Sequence, residues 1–275
     1  MSIRSRNCCI WPALLALMPA VCCAQTPSAD PMPEGSHDRF WGIGVSVTPT
    51  FEGSRESVTR PVVDGSAQWS NGIFLNGALL PSRYDPLHPL QLGYRISPSP
   101  AIDFGPMVAI REGWPVFVAR QLNTKDNAWA GSAGGFIEFN LTDDMKLTGN
   151  LLADLWSSKG AGSLIGNLDL RQTANVAAHH SVAFWGGLRW GDSLAVRNQF
   201  GVTAEQAPVT GFPVYGAKGG IEDLHLGADW RWDLSNAWRL STALYLTRLT
   251  GSAAGSPEVQ TRNNASASVT LLRRF

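Results

Sequence analysis

The stretch "EDLHLGADWRWDL", residues 222–234, alternates between two kinds of side chain at every step. Leu224, Leu226, Ala228, Trp230, Trp232 and Leu234 fall on one side. Asp223, His225, Gly227, Asp229, Arg231 and Asp233 fall on the other. Successive side chains of a strand point to opposite faces. This segment is therefore a strand with one apolar face and one charged face. The split recurs in "FWGIGVSVT" (40–48), "MKLTGNLLADLW" (145–156), "SLIGNLDLRQT" (163–173), "AWRLSTALYLT" (237–247) and the final stretch 265–275. A soluble sandwich also alternates, with its polar face in water. Three features favour a membrane barrel instead. The runs are about 9–12 residues, enough for a tilted strand to cross a bilayer, where soluble strands average about 5–6. Aromatic residues gather at strand ends, and tight turns alternate with long connections.

The pattern predicts twelve strands, at about 39–50, 58–69, 72–82, 90–97, 101–111, 128–141, 145–156, 163–175, 180–190, 217–233, 237–249 and 262–275. Pro61 and Pro81 sit awkwardly in the second and third. Short turns fall near Ser70-Asn71, 97–100, 142–144, 177–180 and 234–237. Long connections fall at 51–57, 83–89, 112–127, 157–162, 191–216 and 250–261, all on one side. The expected fold is all-β: a transmembrane antiparallel β-barrel with long outer loops and both termini periplasmic. No amphipathic helix competes with this reading.

Composition agrees. Only 16% of residues are charged, and there are 11 tryptophans against 4 tyrosines. "MSIRSRN" followed by "CCIWPALLALMPAVCCA" has the basic start, short apolar run and small-residue end of a secretory signal peptide, with cleavage expected after Ala24. Cys22 and Cys23 invite a lipoprotein reading, but the residues before them lack the usual Leu-small-small triplet. All four cysteines (Cys8, Cys9, Cys22, Cys23) fall in that segment, so the expected mature chain carries no disulfide. Residues 25–37 are proline-rich and polar and read as a disordered periplasmic lead-in; 38–275 is the barrel domain. Without Arg4 and Arg6 the charge balance is 22 − 2 = 20 basic against 22 acidic residues, which argues against nucleic acid as a partner.

One connection stands out. "NQFGVTAEQAPVTGFPVYGAKGG" (198–220) is long, rich in Gly and Pro, and apolar enough through Phe200, Phe212 and Tyr215 to fold over the lumen, as a lid, a plug or a packed outer loop. Its "FGVT", Phe200, Gly201, Val202 and Thr203, resembles a signature of the MltA-interacting protein (MipA/OmpV) family. "FEGS" carries Phe51, Gly53 and Ser54, "FGPMVAIREG" carries Gly105 and Pro106, and "LTRLTGSAAGSPEV" carries Ser256 and Pro257; all three resemble further family segments. Here Phe51 stands for a tyrosine, and Arg273 for another in the terminal "RRF". The resemblance implies a Gram-negative outer-membrane protein whose C-terminal Phe275 is read by the barrel-insertion machinery. It also implies a scaffold that holds a lytic transglycosylase near a penicillin-binding protein. Other members are porin-like, so a narrow channel for small solutes stays open as an alternative.

The chemistry-bearing residues fit a polar lumen better than an active site. Expected lumen-facing charges are Asp103, Arg111, Glu138, Lys146, Asp154, Asp169, Arg171, Asp223, His225, Asp229 and Arg231. His225 and Asp229 lie two pleats apart, roughly 13–14 Å along a strand, too far for an orienting hydrogen bond. A lumenal lipid hydrolase would need Ser181 or another serine against His225. The adjacent His179 and His180 point to opposite faces, and no Cys/His spacing suits a metal. "GAGSLIG" (160–166) lacks the ending of a phosphate loop. No catalytic residue, metal or cofactor is expected. Trp230, Trp232 and Trp238 around one short turn, and Trp114, Trp129 and Trp156 at the other end, read as two interfacial belts in contact with outer-membrane lipid.

Overall fold

The computed structural model describes residues 39–79, 90–96, 101–112, 129–156 and 162–275. The expected signal peptide and lead-in, the turn at 97–100, Pro81, Trp114 and the connection 83–89 lie outside them, as does most of 112–127 and 157–162.

Twelve antiparallel strands close into a barrel in sequence order, with β1 beside β12. They are β1 (Phe40–Pro49), β2 (Ser57–Gln68), β3 (Ile73–Leu79), β4 (Leu90–Tyr94), β5 (Ile102–Glu112) and β6 (Trp129–Asn140). The second half holds β7 (Met145–Trp156), β8 (Leu164–Ala177), β9 (His180–Gly191), β10 (Gly220–Asp233), β11 (Trp238–Leu249) and β12 (Asn263–Arg274). The seam runs from Phe40 opposite Arg274 to Val47 opposite Ala267. Each predicted strand has its counterpart, shifted by a few residues at its ends. Pro61 belongs to β2, opposite Val45, on the exposed face. The β2–β3 ladder covers Val63–Gln68, so the missing proline N–H falls outside those pairs.

The barrel is apolar outside and polar inside. Ile43 is 72% and Leu226 63% exposed, and Val45, Phe184, Leu244 and Leu271 stand beside them on the outer wall. Inward positions such as Ser46, Thr48, Ser132 and Thr270 are buried and polar. A wall this apolar needs hydrocarbon around it. Among the described residues no helix is long and apolar enough to cross a membrane; the strands make the crossing.

Two expectations need correction. The connection 191–216 contains a helix, α1 (Ser193–Phe200), a helical turn at Ala207–Thr210 and a β-bridge between Val202 and Tyr215. The connection 250–261 contains another turn at Gly251–Ala254. Asp192 caps α1 by accepting a hydrogen bond from the Ala195 N–H at 2.7 Å. The buried Ala195, Val196 and Phe200 give that helix its reason to form. The turn expected at 177–180 is tighter: β8 runs to Ala177 and β9 starts at His180, with His179 in the left-handed region at φ 67°.

Candidate functional site

The connections 51–57, 191–216 and 250–261 build an ordered cap on the outer end of the barrel. Val196, Phe200, Ala217, Leu249 and Ala253 form its apolar core, with Tyr215 and Val259 packed against them. The Tyr215 hydroxyl donates to the Ser252 carbonyl at 2.9 Å, which ties the two long connections together. The β1–β2 connection joins the same cap. Gly53 adopts φ 91°, a conformation suited to glycine. Its N–H donates to Asn264 Oδ1, and its carbonyl accepts from the N–H groups of Gln260 and Thr261.

Under this cap lies a buried ionic clasp. Arg189 Nη2 is 2.6 Å from Glu52 Oε1 and 2.9 Å from Asp223 Oδ2, and Arg189 Nε is 2.7 Å from Glu222 Oε2. Gln199 of α1 donates to the other oxygen of Glu52. Three carboxylates thus surround one guanidinium. A bulge in β10, where the pairing with β9 shifts between Ile221 and Asp223, turns both Glu222 and Asp223 into the interior. Burial pushes the Glu52 carboxyl up to about 7; Arg189 opposes the rise, while Asp223 and Glu222 add to it.

His225 forms the next layer. Its Nδ1 is 2.8 Å from Asp223 Oδ1 and its Nε2 is 2.7 Å from Asp169 Oδ1. Gly187, on the strand between them, leaves room for that bridge; a Cβ there would overlap both partners. Both ring nitrogens bond to carboxylates, so neither is left to take a proton from a serine. Asp229, the partner considered from sequence, is held instead by Arg171 and Arg231.

Deeper in the lumen Trp185 packs over Gly227 and carries the Arg171 guanidinium at 4.9 Å from its ring centroid. Below it a cavity of about 650 Å³ is lined by Phe40, Phe74, Phe136, Tyr245 and many small polar side chains. Of the other expected lumen charges, Glu138 pairs with Lys146 at 2.7 Å and Asp103 with Arg95 at 3.3 Å. Asp154 accepts from Ser132 at 2.6 Å and Ser163 at 2.7 Å. Arg111 lies on β5 opposite Ala130.

Sequence reading missed four participants. Arg95 lies in the predicted fourth strand close to its turn at 97–100, and Arg239 follows β11 parity; neither stands out as a lumen charge from sequence. Glu52 sits in a connection, and Glu222 is inward only because of the bulge. The positions singled out in the family segments gather mostly in the cap: Phe200, Val202 and Ser256 are buried there, and Pro257 is half-buried. Thr203 Oγ1 accepts from the Gln206 N–H, and Ser54 bonds to Thr50 at 2.8 Å. Phe51 is half-buried and Gly201 terminates α1. Gly105 and Pro106 lie apart, on β5 opposite Phe136 and Gly135. At the short-turn end His180 stacks on Trp230 and Trp232 at 5.6 and 5.4 Å, and Trp238 lies near Arg273.

The profile of the family described as MltA-interacting protein MipA matches residues 41–275. No curated protein matches the chain. Among solved structures, the NanC porin is 9% identical with a TM-score of 0.47, over 86% of this chain and 100% of that one. The COG4313 outer membrane channel from Pseudomonas putida F1 is 12% identical with a TM-score of 0.43, over 90% and 100%. The translocator domain of autotransporter NalP from Neisseria meningitidis is 11% identical with a TM-score of 0.46, over 89% and 90%.

Proposed function

Because the chain belongs to the MltA-interacting protein family, we propose that this outer-membrane barrel is a non-enzymatic scaffold of the cell envelope. In this reading it is exported by its first 24 residues and displays its short-turn end to the periplasm. There it holds a lytic transglycosylase, with a penicillin-binding protein as the second enzyme brought near. One observation supports the reading: among the described residues, the apolar cap and the clasp of Glu52, Arg189, Glu222 and Asp223 fold over the outer end beside β1, β2 and β9–β12. Removing any one partner of that clasp would leave a buried charge uncompensated, so the cover over this part of the mouth is expected to hold its place.

The first test is single-channel conductance of the refolded chain in a planar bilayer, with insertion checked by heat-modifiable gel migration. The expected record is silent. The companion test is co-purification of a lytic transglycosylase with the barrel from solubilised membranes, repeated on a chain lacking residues 25–37. A second reading, a narrow channel for small solutes, draws on the polar cavity of about 650 Å³. Steady, reproducible current steps would put that reading in first place.

A further inference from the structure

The cavity beneath the cap has the size of sites that enclose small molecules, about 300–1,000 Å³. Its wall over β11 and β12 is hollowed by small side chains: Ser241 and Ala243 of β11 lie beside Ser268 of β12. Into that hollow project arginines from β8 and β10. Arg171 and Arg231 share one carboxylate, Asp229: Arg171 Nη2 donates to Asp229 Oδ2, and Arg231 Nε lies 3.3 Å from Oδ1.

The exposures decide which charge a visitor meets. Asp229 is 8% exposed, whereas Arg171 is 26% and Arg231 is 42%. Lys146, at 45%, likewise stands in front of Glu138, at 15%. In each pair the acid lies behind the base. Among the described residues the cavity lining holds five basic side chains and three acidic ones, of which Asp64 lies on β2. At the edge Arg95 and Arg239 are engaged by Asp103 and Asp233. Arg171 is held over the Trp185 ring, so its donor fork is oriented before anything arrives.

We propose that the lumen binds a small multivalent oxyanion, a di- or tricarboxylate or a phosphate, in the hollow between Arg171 and Arg231. Guanidinium forks match the paired oxygens of both groups. The surrounding Ser and Thr hydroxyls supply further hydrogen bonds.

The test is calorimetric titration of the folded full-length barrel in detergent with citrate and with pyrophosphate, against glucose as the uncharged control. Saturable binding of at least one anion is expected. Arg231→Gln and Arg171→Gln should each weaken it by about tenfold or more, the loss of one charged hydrogen bond. Asp229→Asn, which frees both guanidinium groups, should tighten it, whereas a residue needed only for packing would give the reverse. Heat-modifiable migration identifies the folded variants. Absence of saturable binding, binding indifferent to both arginine changes, or weaker binding in Asp229→Asn overturns the proposal. None of these results depends on whether the barrel conducts.

Discussion

Glu52 is the residue on which the clasp beneath the cap turns. Its carboxyl is raised to about 7 chiefly because burial penalises the charge. A carboxyl raised in the folded state contributes its stability in full below the ordinary value of 4.5, and loses it as pH climbs through the raised value. The cap should therefore be tightest in acid and loosen between about pH 5 and 7. Thermal unfolding in detergent across that range should show a falling midpoint, and Glu52→Gln should flatten the slope; parallel slopes for the two proteins would contradict the assignment. Arg189 predicts a larger effect. Arg189→Ala leaves Glu52, Glu222 and Asp223 buried without their shared cation, so a cost of about 3–5 kcal/mol is expected from chemical denaturation. The charged face of β10 was legible from "EDLHLGADWRWD", yet its most consequential pair was not. Parity permits only one of Glu222 and Asp223 to face inward, and a bulge does not show itself in residue types. The His225–Asp169 bridge was hidden for a different reason: it depends on cross-strand register and on the space above Gly187.

Strands were legible because the bilayer imposes period two on every one of them over a length that soluble proteins rarely need. Where strands are short, as in β3 and β4 with 7 and 5 residues, the period has too few repeats to mark their ends. Helix α1 was missed because it answers to a local core and not to the membrane. Eight residues with three buried positions do not build a visible stripe. Its one readable signal was Asp192, an acid at the start of "DSLAVRNQF". Asp192→Ala should destabilise α1 by about 1 kcal/mol. The readout is faster proteolytic cutting in 192–219 with the strands still protected; unchanged cutting would mean that the apolar core alone holds the helix.

At the scale of the whole molecule the fold separates two tasks. The described outer end is given to apolar packing and buried ion pairs, while the middle of the lumen keeps space and exposed bases. Function was legible in the sequence only as a family and a location. No residue pattern distinguishes a barrel that conducts from one that is shut, because that depends on how connections fold over a mouth. Arg189→Ala offers the decisive comparison: if the clasp keeps the mouth shut, its loss should turn a silent bilayer into a flickering one. A bilayer that stays silent would place closure in the apolar cap instead.

The clasp also says something about when, and not only how, the molecule becomes complete. Glu52 and Arg189 are 137 residues apart, one in the first hairpin and the other in the ninth strand. Their meeting joins an early connection to a late strand, and non-local pairings are slow to form. Until the seam between β1 and β12 has closed, Glu52 has no route to its partner, and the acids of β10 remain in contact with water. The ion pair is thus a mark of finished assembly, and a barrel halted partway through insertion should be recognisable by an outer surface that a protease can still enter.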